Sequence, residues 1–263
     1  MFQILIKKNI ATLIMLLFPI LIMFGNQQDE IKIGIDEHIG AKLPMDAVFV
    51  KANGDTLKLS EMINKPFLLD LVYYNCPGIC HPLLSELTWA VDRIQMEPRK
   101  DFQVVALSFD PNENHFLAAK WQKNYISSMK RTMPKDSWLF LTGDSVNIKK
   151  ITKVMGFHYE PKDKNFIHAG GLVAVSKDGK LSRYIYGSTF NPFDLKMALI
   201  DAQNEKTRPT SAKLLQLCFS YDPSGRTYTL NITRIIGSVM MLAVFIFVGV
   251  LVLKKRKGIK IDG

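Results

Sequence analysis

The sequence predicts an α/β domain, a central mixed sheet flanked by helices, followed by a C-terminal transmembrane helix. Three observations carry that prediction. Strand and helix signals alternate through the middle of the chain. A buried strand runs directly into a Cys-x-x-x-Cys loop at the start of an amphipathic helix. Uncharged apolar runs stand near both ends, with lysines beside each. Of the 263 residues, 48% are hydrophobic and 22% charged, which is too apolar for a disordered chain and suits one globular domain plus membrane segments.

The elements follow in order. Residues 47–59 (AVFVKANGDTLKL) read as a β-hairpin turning at Asn53-Gly54, after which Ser60 caps a short helix with Glu61 in its first turn. Residues 67–74 (FLLDLVYY) form a buried strand that enters Asn75-Cys76-Pro77-Gly78-Ile79-Cys80. The helix over 82–94 shows an apolar stripe at Leu83, Leu84, Leu87, Val91 and Ile94. Strand 102–109, helix 112–130, strand 138–141 and helix 144–155 come next. A hairpin over 172–186, turning at Lys177-Asp178-Gly179, and an amphipathic helix over 191–203 close the domain. A strand feeding a cysteine loop at a helix N-terminus, followed by these elements, is a thioredoxin-like plan.

The domain boundaries rest on the flanks. The run over 9–25 follows Lys7 and Lys8 and matches a secretory signal, so residues 1–25 are expected to be a signal peptide or an uncleaved signal anchor. The exported domain then covers 26–204 and an irregular stalk 205–231, with a turn at Ser224-Gly225. Residues 235–253 are 19 uncharged residues, enough to cross a hydrocarbon core, which places the transmembrane helix at 232–254. The basic tail 255–263 belongs in the cytoplasm by the positive-inside rule, and the domain on the extracytoplasmic (periplasmic) side of a bacterial plasma membrane. The formal charge of +10 is concentrated in these flanks. Removing their eight basic residues and one acid leaves 26 basic against 23 acidic, a balance that excludes a nucleic-acid footprint.

Cys76 and Cys80 lie four apart, a spacing that puts both sulfurs on one face at a helix N-terminus, where unpaired N–H groups and the helix dipole favour thiolate. Two such sulfurs can close a structural or exchanging disulfide, attack peroxide, or bind a soft ion such as Cu(I). His168, just before the second hairpin, lies in a loop that passes the cysteine loop in a thioredoxin-like fold, and would complete a site of two sulfurs and one nitrogen. The 12 methionines read as packing, five of them in the terminal segments. His81 points about 100° from Cys80, and His38, His115 and His158 show no partner pattern. Lys149-Lys150 and Lys130-Arg131 read as solvated helix faces.

The ordered set YYNCPGIC, SFDP, LTGDS, MGFHY and IHAGG resembles the Sco/SenC family over residues 42–203. That resemblance implies a membrane-tethered, thioredoxin-like protein that binds copper, as Cu(I) or Cu(II), and helps assemble the dinuclear copper centre of cytochrome c oxidase. By the same resemblance Cys76 and Cys80 match the sulfur ligands, His168 the histidine ligand, and Asp110 an acidic position that is structural. The implied partners are the copper-binding subunit of the oxidase, other periplasmic copper or thiol-redox proteins, and the membrane. The chain departs from the family pattern at Gly78, where many members have Asp, and at Ile167 and Ala169, where many have Asp and Ser. The tail LQLCFSYDPSGRTY is similar to that of a bacterial subgroup anchored at the C-terminus, and Cys218 within it reads as a free or packed cysteine. A metallochaperone is no enzyme. The alternative is a thiol-disulfide oxidoreductase in which Cys76 and Cys80 keep the cysteines of the oxidase copper site, or of another exported protein, reduced.

Overall fold

The structure is a computed structural model that describes residues 33–62, 64–163, 165–187, 189–208, 219–222, 227–230, 236–237 and 239–249. Its centre is a run of three strands, β4 (Phe67–Val72), β5 (Gln103–Ser108) and β6 (Trp138–Thr142), in which every residue is buried. Such continuous apolar segments suit strands covered on both faces. They pair in parallel, so their C-terminal ends point the same way. The sheet is extended by the hairpin β9 (Gly171–Val175) and β10 (Leu181–Tyr186), antiparallel to β4, and by the hairpin β2 (Val48–Lys51) and β3 (Thr56–Lys58), antiparallel to β6. Its order is β10-β9-β4-β5-β6-β2-β3. This is the expected mixed sheet with flanking helices.

Helix ends are set by local chemistry. The helix α1 (Cys80–Val91) buries Leu83, Leu84, Leu87 and Val91 of the expected stripe, and it ends three residues short of Ile94, which is buried beyond it. At α2 (His115–Ser127) the side chain of Asn114 accepts from the backbone N–H of Leu117, and at α3 (Ser145–Met155) Asp144 accepts from Val146 and Asn147. The last helix, α4 (Pro192–Gln203), begins with Pro192 after the cap Asn191. α3 ends at Gly156 with φ 62°, and a Cβ there would lie 1.9 Å from the Asp36 carbonyl oxygen. Only glycine fits both the left-handed turn and that approach. The close contact docks β1 (Gly34–Ile35) onto β7 (Phe157–Lys162).

The core is continuous across the sheet, with Trp138, Tyr74, Tyr184, Phe49, Phe102, Phe109, Phe140 and Phe190 among its largest fully buried side chains. Asp70 sits in the middle of β4 at 1% exposure, and burial pushes its carboxyl well above the ordinary carboxylate range.

Four expectations are corrected. The buried strand expected over 67–74 stops at Val72, because the chain turns over Tyr73–Asn75 into the cysteine loop. A second sheet, β1-β7-β8 with β8 at Asn165–His168, was not foreseen. Its sequence, FHYEPKDKNFIH, hides a short alternation of Phe157 with Tyr159 and of Phe166 with His168 behind charges and a proline. The stalk is not wholly irregular: Phe219–Asp222 (β11) and Thr227–Leu230 (β12) pair as an antiparallel hairpin flanking the Ser224-Gly225 turn signal. Arg131 is not a solvated face. It is half-buried, and its guanidinium donates to the carbonyls of Val91, Ile94 and Met96 beyond the end of α1.

Among the described residues no helix is long and apolar enough to cross a membrane. Of the expected transmembrane helix, residues 236–237 and 239–249 are described; they are helical, and their large apolar side chains are exposed, Phe245 at 69%. The signal segment 1–25, the basic tail 255–263 and Cys218 lie outside the described residues.

Candidate metal centre

Cys76, Cys80 and His168 come together at the C-terminal end of β4. All three are buried, and their ligand atoms lie within 4.8 Å of one another. The four-residue spacing is achieved by a turn and not by a helical face, since α1 starts only at Cys80. Residues 77–79 bend so that the backbone N–H groups of Gly78 and Cys80 point at Cys76 Sγ, at 3.4 and 3.5 Å. Cys76 thus occupies the position of an anion at a helix N-terminus.

The Cys80 thiol, which hydrogen-bonds to it, holds the Cys76 thiol down to about 3, with His168 and the two backbone N–H groups adding to the effect and burial opposing it. These contacts favour the Cys76 thiolate over its thiol. Cys80 moves the other way, pushed well above the usual thiol range by burial and by the neighbouring Cys76. Both cysteines are unbridged.

His168 ends β8, opposite Tyr159. Its Nδ1 lies 3.0 Å from the Ala169 carbonyl, which only accepts, so Nδ1 donates to it and Nε2 faces inward. Nε2 is 3.3 Å from Cys80 Sγ. The imidazole is packed among Tyr73, Phe109 and Phe157 at ring distances of 5.8, 5.1 and 5.9 Å. The two loops meet closely at Gly170, where a Cβ would lie 3.0 Å from Ile79 Cδ1 and 3.2 Å from Leu83 Cδ1. Cys76 Sγ, Cys80 Sγ and His168 Nε2 thus converge on one buried point. A soft cation there would take electron pairs from all three.

The cysteine loop is held from below by Glu113. Its carboxylate accepts from the backbone N–H groups of Tyr74 (2.8 Å) and Asn75 (2.7 Å) and from the Ser108 hydroxyl (2.6 Å). Burial raises its pKa. Asp110, the acid singled out from the motif, instead accepts from the backbone and side-chain N–H of Asn112 and shapes the turn into α2. Nothing in the sequence distinguished Glu113 from an ordinary acid next to a helix cap.

The other candidates stay apart from the cluster. His81 lies tilted against Trp121, ring centroids 4.1 Å apart, with Nδ1 3.0 Å from the Tyr125 hydroxyl. His38 contacts the Val154 carbonyl, His115 lies tilted against Phe116, and His158 pairs with Asp36. Met62 and Met155 are in the core, with Met45, Met96, Met129 and Met133 packed against it.

Fold and site together define a thioredoxin-like protein with a buried donor set of two sulfurs and one imidazole. The SCO1/SenC family model matches residues 40–201. The chain belongs to that family. It is 26% identical over 151 residues to the SCO1 protein homolog of Bacillus subtilis (strain 168), covering 56% of this chain and 75% of that protein. Its fold is similar to that of a protein from Aquifex aeolicus VF5, with a TM-score of 0.58 and 24% identity over 63% of this chain and 95% of that one. Copper-bound ScoI of Arabidopsis thaliana gives a TM-score of 0.51 and 20% identity over 64% and 99% of the two chains.

Proposed function

We propose that this protein is a membrane-tethered copper metallochaperone that holds one copper through Cys76, Cys80 and His168. Its cargo would be delivered to the dinuclear copper centre in the copper-binding subunit of cytochrome c oxidase. The observation that carries the proposal is the buried set of three donor atoms within 4.8 Å of one another. Two sulfurs and an imidazole nitrogen are a soft set suited to Cu(I), and Arabidopsis ScoI carries copper on a similar fold. The contacts that favour the Cys76 thiolate also favour a bound cation, because a metal takes the deprotonated sulfur. Release would proceed by ligand exchange, each donor passing its place to a ligand of the receiving site.

Tethering would be through residues 232–254. The described part of that run is helical and uncovered by protein, as lipid contact requires, and the lysine-rich flank that follows supports a cytoplasmic tail. The domain would then face the periplasm.

One observation favours a second reading, thiol-disulfide exchange. A stabilised Cys76 thiolate beside a protonated Cys80 is also the arrangement of an attacking and a resolving sulfur. Two mixtures separate the two readings: the copper-loaded protein with the reduced apo copper-binding subunit, and the reduced metal-free protein with the oxidised subunit. The chaperone predicts transfer of one copper per protein with both partners still dithiols. Reduction of an oxidised subunit without any copper transfer would overturn it in favour of the oxidoreductase.

A further inference from the structure

The three donors of the site stand on two separate pieces of chain. Cys76 and Cys80 belong to the loop between β4 and α1, while His168 ends β8, the edge strand of the β1-β7-β8 sheet. Among the described residues β8 pairs only with β7. The histidine arm therefore shares no ladder with β4, and side-chain contacts set its distance from the sulfurs.

Tyr73, three residues before Cys76, stands where the two pieces meet. Its ring is buried against Phe109, Phe166 and His168, at ring distances of 5.4, 5.3 and 5.8 Å. Its carbonyl accepts the Cys76 N–H at 3.3 Å. Its hydroxyl makes two contacts of opposite sense. It accepts the backbone N–H of Phe166, two residues before His168, at 3.4 Å. It also hydrogen-bonds with the Cys76 side chain, and because a phenol keeps its proton at neutral pH and a thiolate only accepts, the hydroxyl is the donor there. A phenylalanine would pack in the same aromatic cluster; only the oxygen makes these two contacts.

We propose that Tyr73 is a positioning residue for copper, its hydroxyl donating to the Cys76 sulfur from outside the ligand set while tying that sulfur to the arm that carries His168. This rests on the reading of Cys76, Cys80 and His168 as a copper site. A sulfur bound to a metal keeps lone pairs with which to accept, and a donor there withdraws charge from it. Hydrogen bonding around a cysteine sulfur tunes the potential of a bound copper, and a less electron-rich sulfur favours Cu(I) over Cu(II).

The test is Tyr73→Phe in the full chain. Copper-loaded wild type and variant are titrated potentiometrically, and amide exchange at Phe166 is followed in the metal-free proteins. The variant should keep one copper but shift its preference about tenfold toward Cu(II), a potential lower by about 59 mV for the one-electron couple. Its Phe166 amide should exchange at least about tenfold faster. Incorporating 3-fluorotyrosine at position 73, a stronger donor of nearly the same shape, should move the potential in the opposite direction and decides the matter if Tyr73→Phe fails to fold. A copper-loaded variant whose potential matches wild type, or whose Phe166 amide exchanges at the wild-type rate, overturns the proposal and leaves the copper site standing. Wild-type protein that binds no copper overturns the copper-site reading, and this proposal with it.

Discussion

Replacing Cys80 by serine should lower Cu(I) affinity by at least about a thousandfold, or about 4 kcal/mol, while the domain stays folded. The substitution exchanges a soft sulfur for a hard hydroxyl at one of three ligand positions, and Cu(I) discriminates strongly between them. The serine hydroxyl still offers a donor to His168 Nε2, now 3.3 Å from Cys80 Sγ, so stability should change by no more than about 1 kcal/mol. Cys76→Ser should be as damaging, because it also removes the thiolate toward which the N–H groups of Gly78 and Cys80 point. Cys218→Ser should leave copper stoichiometry unchanged. Anaerobic competition against a Cu(I) chelator, with metal analysis, reads all three. A Cys80→Ser protein that retains one copper at wild-type affinity would show that the metal is held elsewhere.

The second large effect is expected at Glu113, through the loop and not through the metal. Alanine there leaves the N–H groups of Tyr74 and Asn75 and the Ser108 hydroxyl without their acceptor. Each orphaned buried donor costs about 1–3 kcal/mol. Part of that loss is offset by removing a carboxylate that is itself penalised by burial. The net should be a destabilisation of about 3 kcal/mol and, because the loop that carries Cys76 loosens, a roughly tenfold weaker copper affinity. Glu113→Gln keeps a carbonyl acceptor and should recover most of both. Urea unfolding and the chelator competition measure the two effects separately. An alanine variant within about 0.5 kcal/mol of wild type would remove Glu113 from the account.

Elements whose signal is local could be read from the sequence. The central strands announce themselves as unbroken apolar runs, and α1 through its stripe. The hairpin turns at Asn53-Gly54 and Lys177-Asp178-Gly179 use residues that tolerate the required backbone angles. Elements that depend on distant partners could not be read. β1 is two residues long and exists because Gly156 admits the Asp36 backbone; β7 and β8 are held by facing aromatics, Tyr159 against Phe166 at 5.6 Å. The site divides in the same way. Cys76 and Cys80 are visible as a pair, and His168 becomes a candidate through the fold and the family resemblance. The groups that set the pair's chemistry, namely the Ala169 carbonyl on Nδ1, the aromatic packing from Phe109 and Phe157, and the carboxylate of Glu113 some 40 residues from its targets, are long-range or main-chain contacts that residue types do not encode.

The central claim is that His168 belongs to the copper site together with the two sulfurs. Anaerobic Cu(I) titration of the reduced protein against a competing chelator, for wild type and His168→Ala, tests it most directly. The account predicts one tightly bound copper in the wild type and at least a tenfold loss of affinity in the variant, about 1.4 kcal/mol or more. Equal binding by both proteins, or binding by neither, would contradict it and leave thiol-disulfide exchange as the better description of Cys76 and Cys80.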